Sequence, residues 1–596
     1  MPLALRRFQE IREVALPKAA VWSVLSHTDR INRNIGLPPV SYGDLKTGEG
    51  GDFRPAKAKM LGIPLEWREY PFSWESEGRY SVVRVYERGP IARFEAGTEL
   101  EENGPNSTRI TFFADIIPRG LTGRALVPIV ARQSLRKTVE LSNRLLAAPG
   151  SPFAIQAPAP RKTAVDEALL RRLCIELGRH PLEARVVTAL EALLREGGDD
   201  EVTGLRPYEW ARRVGINRNE ALRACLHAVK VGLLNQRWAM MCPNCRVAKR
   251  EVTTLSEVES QVHCDLCGVN YALNFDRYVE LRFAVQPAVR RAQNNIYCLG
   301  GPFRAPHILL QRQLLPGQKT FIPRLLKTDE MRLRVLKWNN SIDIAPENAA
   351  PTEVAWDGSQ WSHLSARGAF EAHNASQEPI IIALEKQVWD PDAVTAAQVT
   401  AMQEFRDLFS GEVLAPGREM AVENVTLFFS DLSNSTALYE NIGDAPAFAH
   451  VGRHFDFLQG VIGREGGAVV KTMGDAVMAV FNTPADAVRA SLALQRGFPA
   501  VAQKEGTSSI ALKIGLHFGP ALAVNSNDRL DYFGRTVNIA ARVSAQAQGG
   551  EMVFTEQLWR HPEVRATVFE SEAHYSMFCT KLRGVEEDFS LIRVKF

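Results

Sequence analysis

Two Cys-x-x-Cys pairs, CPNC at Cys242 and Cys245 and CDLCG at Cys264 and Cys267, lie 18 residues apart in this chain of 596. They constrain its folding more sharply than any hydrophobic run. Each pair makes a tight turn that points two sulfurs at one place, and four thiolates complete a tetrahedral shell around Zn²⁺ with no open position for a substrate. The expectation is a zinc ribbon over 239–283 holding one structural Zn²⁺. Eight cysteines in the whole chain are too few for a disulfide scaffold, and paired knuckles of this kind suit a reducing, cytoplasmic setting. Cys174, Cys225, Cys298 and Cys579 are expected as buried free thiols. His263, beside a knuckle, is expected to face solvent rather than the metal.

A chain of this length exceeds one hydrophobic core, so several units are expected. With 45% hydrophobic and 23% charged residues, the composition is that of folded globular domains, and a net charge of +3 gives no mandate for nucleic acid or membrane binding. The first apolar stretch is interrupted by charges and lacks a small-residue cleavage site, so it does not read as a signal peptide. No apolar run approaches the ~20 residues needed to span a bilayer. The fold class expected is multidomain α+β.

From Phe8 the pattern runs strand, short helix (AAVWSVLS), alternating strands and a long helix over about 123–146. This order, with the opening PKAAVWSVLSHTDRIN, resembles the START-like (polyketide-cyclase-like) superfamily. The resemblance implies a helix-grip β-sheet domain over 1–147 that encloses an apolar small ligand, among aromatics such as Trp22, Trp67, Phe72, Trp74 and Phe112; plain core packing is the alternative for these rings. Residues 148–164, rich in Pro and Ala, read as a linker.

Over 165–238 three amphipathic segments suggest a winged helix, with Asn217 as N-cap of the third. Between Asp166 and Trp238 there are 12 Lys and Arg against 11 Asp and Glu, and the third helix offers only Arg218, Arg223 and Lys230. DNA is therefore disfavoured as a partner. Residues 284–389 read as a small β-sandwich, followed over 390–411 by one connecting helix, capped at Asp390-Pro391, with Val394, Met402, Phe405, Leu408 and Phe409 on one face.

The chemistry lies further on. VTLFFSD is a buried strand ending in Asp431, and GGAVVKTMGDAVMAVF is a hairpin with Gly474-Asp475 at its turn. Two carboxylates at adjacent strand ends can bridge two hard divalent ions, an arrangement that serves displacement at phosphorus. In DYFGRTVNIAAR, Asn538 and Arg542 are four apart on a helix and project from one face, an amide and a guanidinium able to hold a ribose and a pentavalent phosphate. Lys471 and Asp531 form a donor and acceptor pair that matches the N1 and N6 edge of adenine and mismatches guanine.

With these residues in place, 423–596 resembles the class III adenylate and guanylate cyclase catalytic domain, a ferredoxin-like α/β unit. The resemblance implies that Asp431, Leu432 and Asp475 serve two Mg²⁺ or Mn²⁺ ions, that Lys471 and Asp531 select adenine, that Asn538 orients the ribose and that Arg542 stabilises the transition state. Either Lys581 or Arg583 would contact the triphosphate. It further implies a head-to-tail homodimer and conversion of ATP to 3′,5′-cyclic AMP and pyrophosphate, under control of the preceding domains. Asn434 stands where the family usually has Gly, and Asn tolerates a left-handed backbone. Two rival readings are weaker. An adaptor with an inactive cyclase domain would normally lack one of these residues, and a guanylate cyclase would lack the Lys and Asp pair.

Overall fold

The computed structural model describes residues 4–595 except 49, 61–62, 148–162, 265–266, 294, 324–329, 339, 346–352, 364, 368, 436–439, 441–442, 505–506, 508–509 and 586. Most of the expected linker lies outside the described residues. Its last part is anchored, since Thr163 Oγ1 donates to Asp199 and accepts from Arg290 Nε.

At the N-terminus, strand Arg6–Val14 pairs with Thr108–Pro118, which pairs in turn with Ile91–Glu102. The helix Gly120–Leu146 packs on this sheet, its apolar stripe of Val127, Ala131, Leu135 and Val139 meeting Phe112, Ala114 and Ile116. Side chains fill the space under the helix. An apolar-walled cavity of about 160 Å³ lies elsewhere, among Phe72, Trp74, Ile308, Ile381, Cys245 and Cys267.

The same sheet continues into the region expected as a separate β-sandwich. Ser73–Glu75 hydrogen-bonds to Ile308–Leu314, with Leu310 opposite Glu75 and Gln311 opposite Trp74. A second sheet, Lys319–Ile322, Phe370–Asn374 and Glu353–Trp356, shares a core with the first through Leu333, Ile342, Trp356 and Phe370. A two-layer sandwich is present, and one of its layers is an extension of the N-terminal sheet.

The helical unit contains the three expected segments, the third being α1 (Arg218–Lys230). Asn217 caps it, its side chain accepting from the N–H groups of Asn219 and Glu220. The basic groups of α1 each contact a neighbouring side chain, although Arg218 and Lys230 lie exposed at the surface. Arg218 stacks on Tyr208, Arg223 pairs with Glu220 and Glu404, and Lys230 lies over Phe409.

The connecting segment departs from expectation. It forms two short helices, α2 (Ala396–Thr400) and α3 (Gln403–Leu408), instead of one, and Asp390 pairs with Arg206 rather than capping. Thr395 caps α2, and the Thr400 carbonyl is captured by Arg406 Nε at 2.7 Å. With that carbonyl taken out of the ladder, the chain leaves the helix at Met402, whose backbone is extended. One continuous cluster of buried side chains runs from Leu222 and Trp238 through Leu255 and Phe275 to Val399 and Phe405, and on to Val470, Leu427 and Tyr532.

The C-terminal unit begins with β1 (Glu419–Ser433), followed by α4 (Asp444–Arg464), β2 (Gly467–Met473), β3 (Ala476–Phe481), α5 (Pro484–Lys504) and β4 (Ala511–Ser526). The strands lie in the order β2-β3-β1-β4 with antiparallel neighbours, the ferredoxin-like arrangement. Then follow β5 (Arg529–Phe533), α6 (Arg535–Ser544), β6 (Glu551–Thr555), β7 (His574–Lys581) and β8 (Asp588–Lys595). The sheet extends beyond β4 as β6-β8-β7, and β5 also pairs with β4. Helices α4 and α5 share a core with one face through Phe428, Leu458, Val488 and Leu516. Cys579 is exposed rather than buried, because it lies on the edge strand β7. No helix among the described residues is long and apolar enough to cross a membrane.

Candidate active site

Strand register places the two carboxylates together. Ser430 pairs with Val477 across β1 and β3, so Asp431 lies one step beyond, beside the turn that carries Asp475. Gly474 makes that turn in the left-handed region, φ 65°, where a side chain would be strained. The Asp475 Oδ2 atom is buried with no hydrogen-bond partner. Asp431 faces its cross-strand partner on β4, Lys513, whose Nζ donates to Oδ2 at 3.1 Å. Leu432 is buried in the same strand, and Asn434 adopts φ 63°, so it meets the backbone requirement of a position usually held by glycine.

A buried carboxylate oxygen without a donor, on a turn beside the strand end that carries a half-buried second carboxylate, is a donor set suited to a hard divalent cation. The residues present therefore fit the expected metal. Next to Asp475, burial lowers the His454 pKa to about 4, against a weaker upward pull from Asp475. That imidazole sits neutral in its place.

Lys471 on β2 and Asp531 on β5 meet directly, Nζ to Oδ2 at 2.6 Å. The other oxygen, Oδ1, accepts from the Tyr532 N–H at 2.8 Å, which fixes the plane of the carboxylate. Lys471 also lies over the exposed Phe533 ring. The pair thus presents a cationic donor and an oriented acceptor side by side, at an apolar rim that includes Met473 and Leu522.

Helix α6 carries Asn538 and Arg542 one turn apart, the first exposed and the second half-buried. Neither side chain makes a hydrogen bond or ion pair among the described residues, and no such bond joins them to Asp431 or Asp475. Lys581 and Arg583 are exposed on the neighbouring β7 turn. Between them and α6 sits Gly584, φ 69°, where an added Cβ would lie 3.4 Å from Arg542 Nη2.

Two contributors were missed in sequence. Lys513 is legible only once register puts it opposite Asp431. Gly584 lies in the KLRG stretch, where only its positive φ and its contact with Arg542 give it meaning.

The four knuckle sulfurs all lie within 4.8 Å of one another, with Cys242 to Cys267 at 3.9 Å and Cys245 to Cys264 at 3.8 Å. Tetrahedral bonds of about 2.3 Å to one Zn²⁺ would subtend nearly this spacing. His263 is exposed and bonds Asn270.

Residues 418–584 match the family described as "Adenylate and Guanylate cyclase catalytic domain". Residues 171–296 match a "Family of unknown function (DUF5939)", which spans the helical unit and the knuckles. The adenylate cyclase of Lachancea kluyveri is 33% identical over 152 residues, 22% of this chain and 8% of that protein. An uncharacterized protein of Mycobacterium tuberculosis is 35% identical over 130 residues, 22% of this chain and 32% of that protein. Among solved structures, the adenylyl cyclase CyaB from P. aeruginosa aligns with a TM-score of 0.27 at 18% identity, over 30% of this chain and 96% of that one. The chain spans only 8% and 32% of the length of these two curated relatives.

Proposed function

Because residues 418–584 form an adenylate and guanylate cyclase catalytic domain, we propose that this protein converts ATP to 3′,5′-cyclic AMP and pyrophosphate in composite sites of a head-to-tail homodimer. The observation that carries the choice of ATP is the contact of Lys471 with Asp531 at 2.6 Å. An ammonium donates to adenine N1 and a carboxylate accepts from the N6 amino group, whereas guanine offers a donor at N1 and an acceptor at O6 and is met by the wrong partners.

Asp431, Leu432 and Asp475 would hold two Mg²⁺ or Mn²⁺ ions, which when bound supply charge neutralisation at the triphosphate and acidify the attacking hydroxyl. Asn538 holds the ribose so that its 3′-oxygen faces the α-phosphorus. Arg542 offers a planar cation, with no internal ion pair to break, to the charge that builds on the α-phosphate. Lys581 or Arg583 holds the leaving phosphates. Most of the acceleration therefore comes from positioning and fixed charge. A structural Zn²⁺ on Cys242, Cys245, Cys264 and Cys267 would pin the knuckles to the helical unit, and the preceding units would regulate turnover.

The test is the purified full-length chain with ATP or GTP and Mg²⁺ or Mn²⁺, the cyclic product being quantified. Cyclic AMP formed from ATP in preference to cyclic GMP from GTP is the expected result. Failure to form any cyclic nucleotide with either metal overturns the reading.

A further inference from the structure

The two strands that carry the purine-reading pair are each tied to the connector. On β2, the Val469 N–H, two residues before Lys471, donates to Gln403 Oε1 of α3 at 2.8 Å. On β5, both neighbours of Asp531 are held. Arg406 Nη1 donates to the Leu530 carbonyl at 3.0 Å, and Tyr532 Oη meets Thr400 Oγ1 at 3.2 Å. The Arg406 guanidinium also faces the Tyr532 ring and, through Nε, grips the Thr400 carbonyl. Arg406 has no carboxylate partner among the described residues, and its Nη2 is buried without an acceptor. A half-buried guanidinium with one nitrogen left without an acceptor costs stability that simple packing would avoid.

The opposite side of α3 faces the helical unit. Glu404 accepts from Arg223 Nε at 2.6 Å and meets His227 Nε2 at 2.8 Å, both on α1. Gln403, Glu404 and Arg406 thus belong to one short helix with a grip on α1 at one side and on β2 and β5 at the other. A six-residue helix cannot move one side without the other.

We infer that Gln403 and Arg406 are positioning residues for purine selection, and that Glu404 couples the helical unit to them. The inference rests on the reading of Lys471 and Asp531 given above. Shifting α1 shifts α3, which changes how far β5 presents Asp531 beside Lys471, and so alters adenine recognition without touching the metal carboxylates.

The experiment measures kcat and KM for ATP and GTP on full-length wild type, Arg406→Gln and Arg223→Ala. Both variants are expected to lower the ATP-over-GTP ratio of kcat/KM by about five-fold or more, the low end of typical coupling between sites, with most of the loss in the KM for ATP. A merely structural role would depress both nucleotides equally and leave the ratio in place. Should Arg406→Gln fail to fold, Thr400→Val and Gln403→Ala, each removing one contact, take its place, and a lowered ratio supports the inference while an unmoved one overturns it. An ATP-selective wild type whose ratio is unmoved in Arg406→Gln or in Arg223→Ala overturns this inference alone. A wild type that makes no cyclic AMP overturns the proposed function as well.

Discussion

Lys513 and Asp431 face one another across β4 and β1, with the ammonium 3.1 Å from a carboxylate oxygen that is itself a candidate metal ligand. A fixed cation and a bound cation compete for the same charge. Replacing Lys513 with Met should lower the Mn²⁺ concentration for half-maximal activity by about two- to five-fold, since a pair this exposed is worth about 1 kcal/mol or less. A metal titration of initial rate checks it. An unchanged or higher requirement would mean that the ammonium positions Asp431 and does not compete.

Asp475→Ala removes the orphaned Oδ2 atom and should abolish turnover while leaving the far-UV circular dichroism and urea midpoint close to wild type. Residual activity above a few per cent would take this carboxylate out of the site.

Exchanging Lys471 for Glu together with Asp531 for Cys reverses the donor and acceptor order of the pair. The expected outcome is a swing of kcat/KM from ATP toward GTP by one order of magnitude or more, about 1.4 kcal/mol of discrimination. A double variant that still prefers ATP would show that the purine is read elsewhere.

Gly584→Ala puts a side chain at φ 69°, within van der Waals reach of Arg542. The left-handed backbone should cost about 1 kcal/mol of stability, and displacement of the guanidinium should lower kcat more than it changes KM. Paired urea melts and initial rates separate the two effects. The stability loss with an unaltered kcat would dissociate the turn from Arg542.

Burial holds His307 and His517 down to about 4, with Arg246 adding to the effect at His307 and Arg535 at His517. Both are then less protonated in the fold than in the unfolded chain, where imidazole titrates near 6.5. Their contribution is fully present above about pH 6.5 and is lost as pH falls toward about 4. The urea midpoint should therefore decline across that window, and His517→Gln should flatten the decline. A midpoint independent of pH between these limits would contradict the burial of both rings.

Much of the C-terminal unit is legible in sequence because its signals are local. The Gly474-Asp475 turn between two apolar runs specifies a hairpin, and in the helical unit, likewise, Asn217 before an amphipathic run specifies a cap. What escapes is tertiary. Nothing near Trp74 indicates that its strand pairs with one more than two hundred residues later, at Gln311. The break between α2 and α3 depends on Arg406 reaching back to a carbonyl, while the apolar spacing through Met402 and Phe405 continues undisturbed and suggests a single helix. Cys579 looks like a core thiol by type, and only its place on the sheet edge exposes it.

The span that matches the cyclase family is not self-contained in its packing. Glu412, just ahead of it, is stitched to Gln236, Trp238 and Leu255, and Tyr532 and Val470 within it share buried neighbours with the helical unit. Cutting at the family boundary would leave greasy seams on both fragments. The portion that can be inherited, swapped or expressed as one piece is therefore larger than the catalytic span, and reaches back at least to the helices around Asn217.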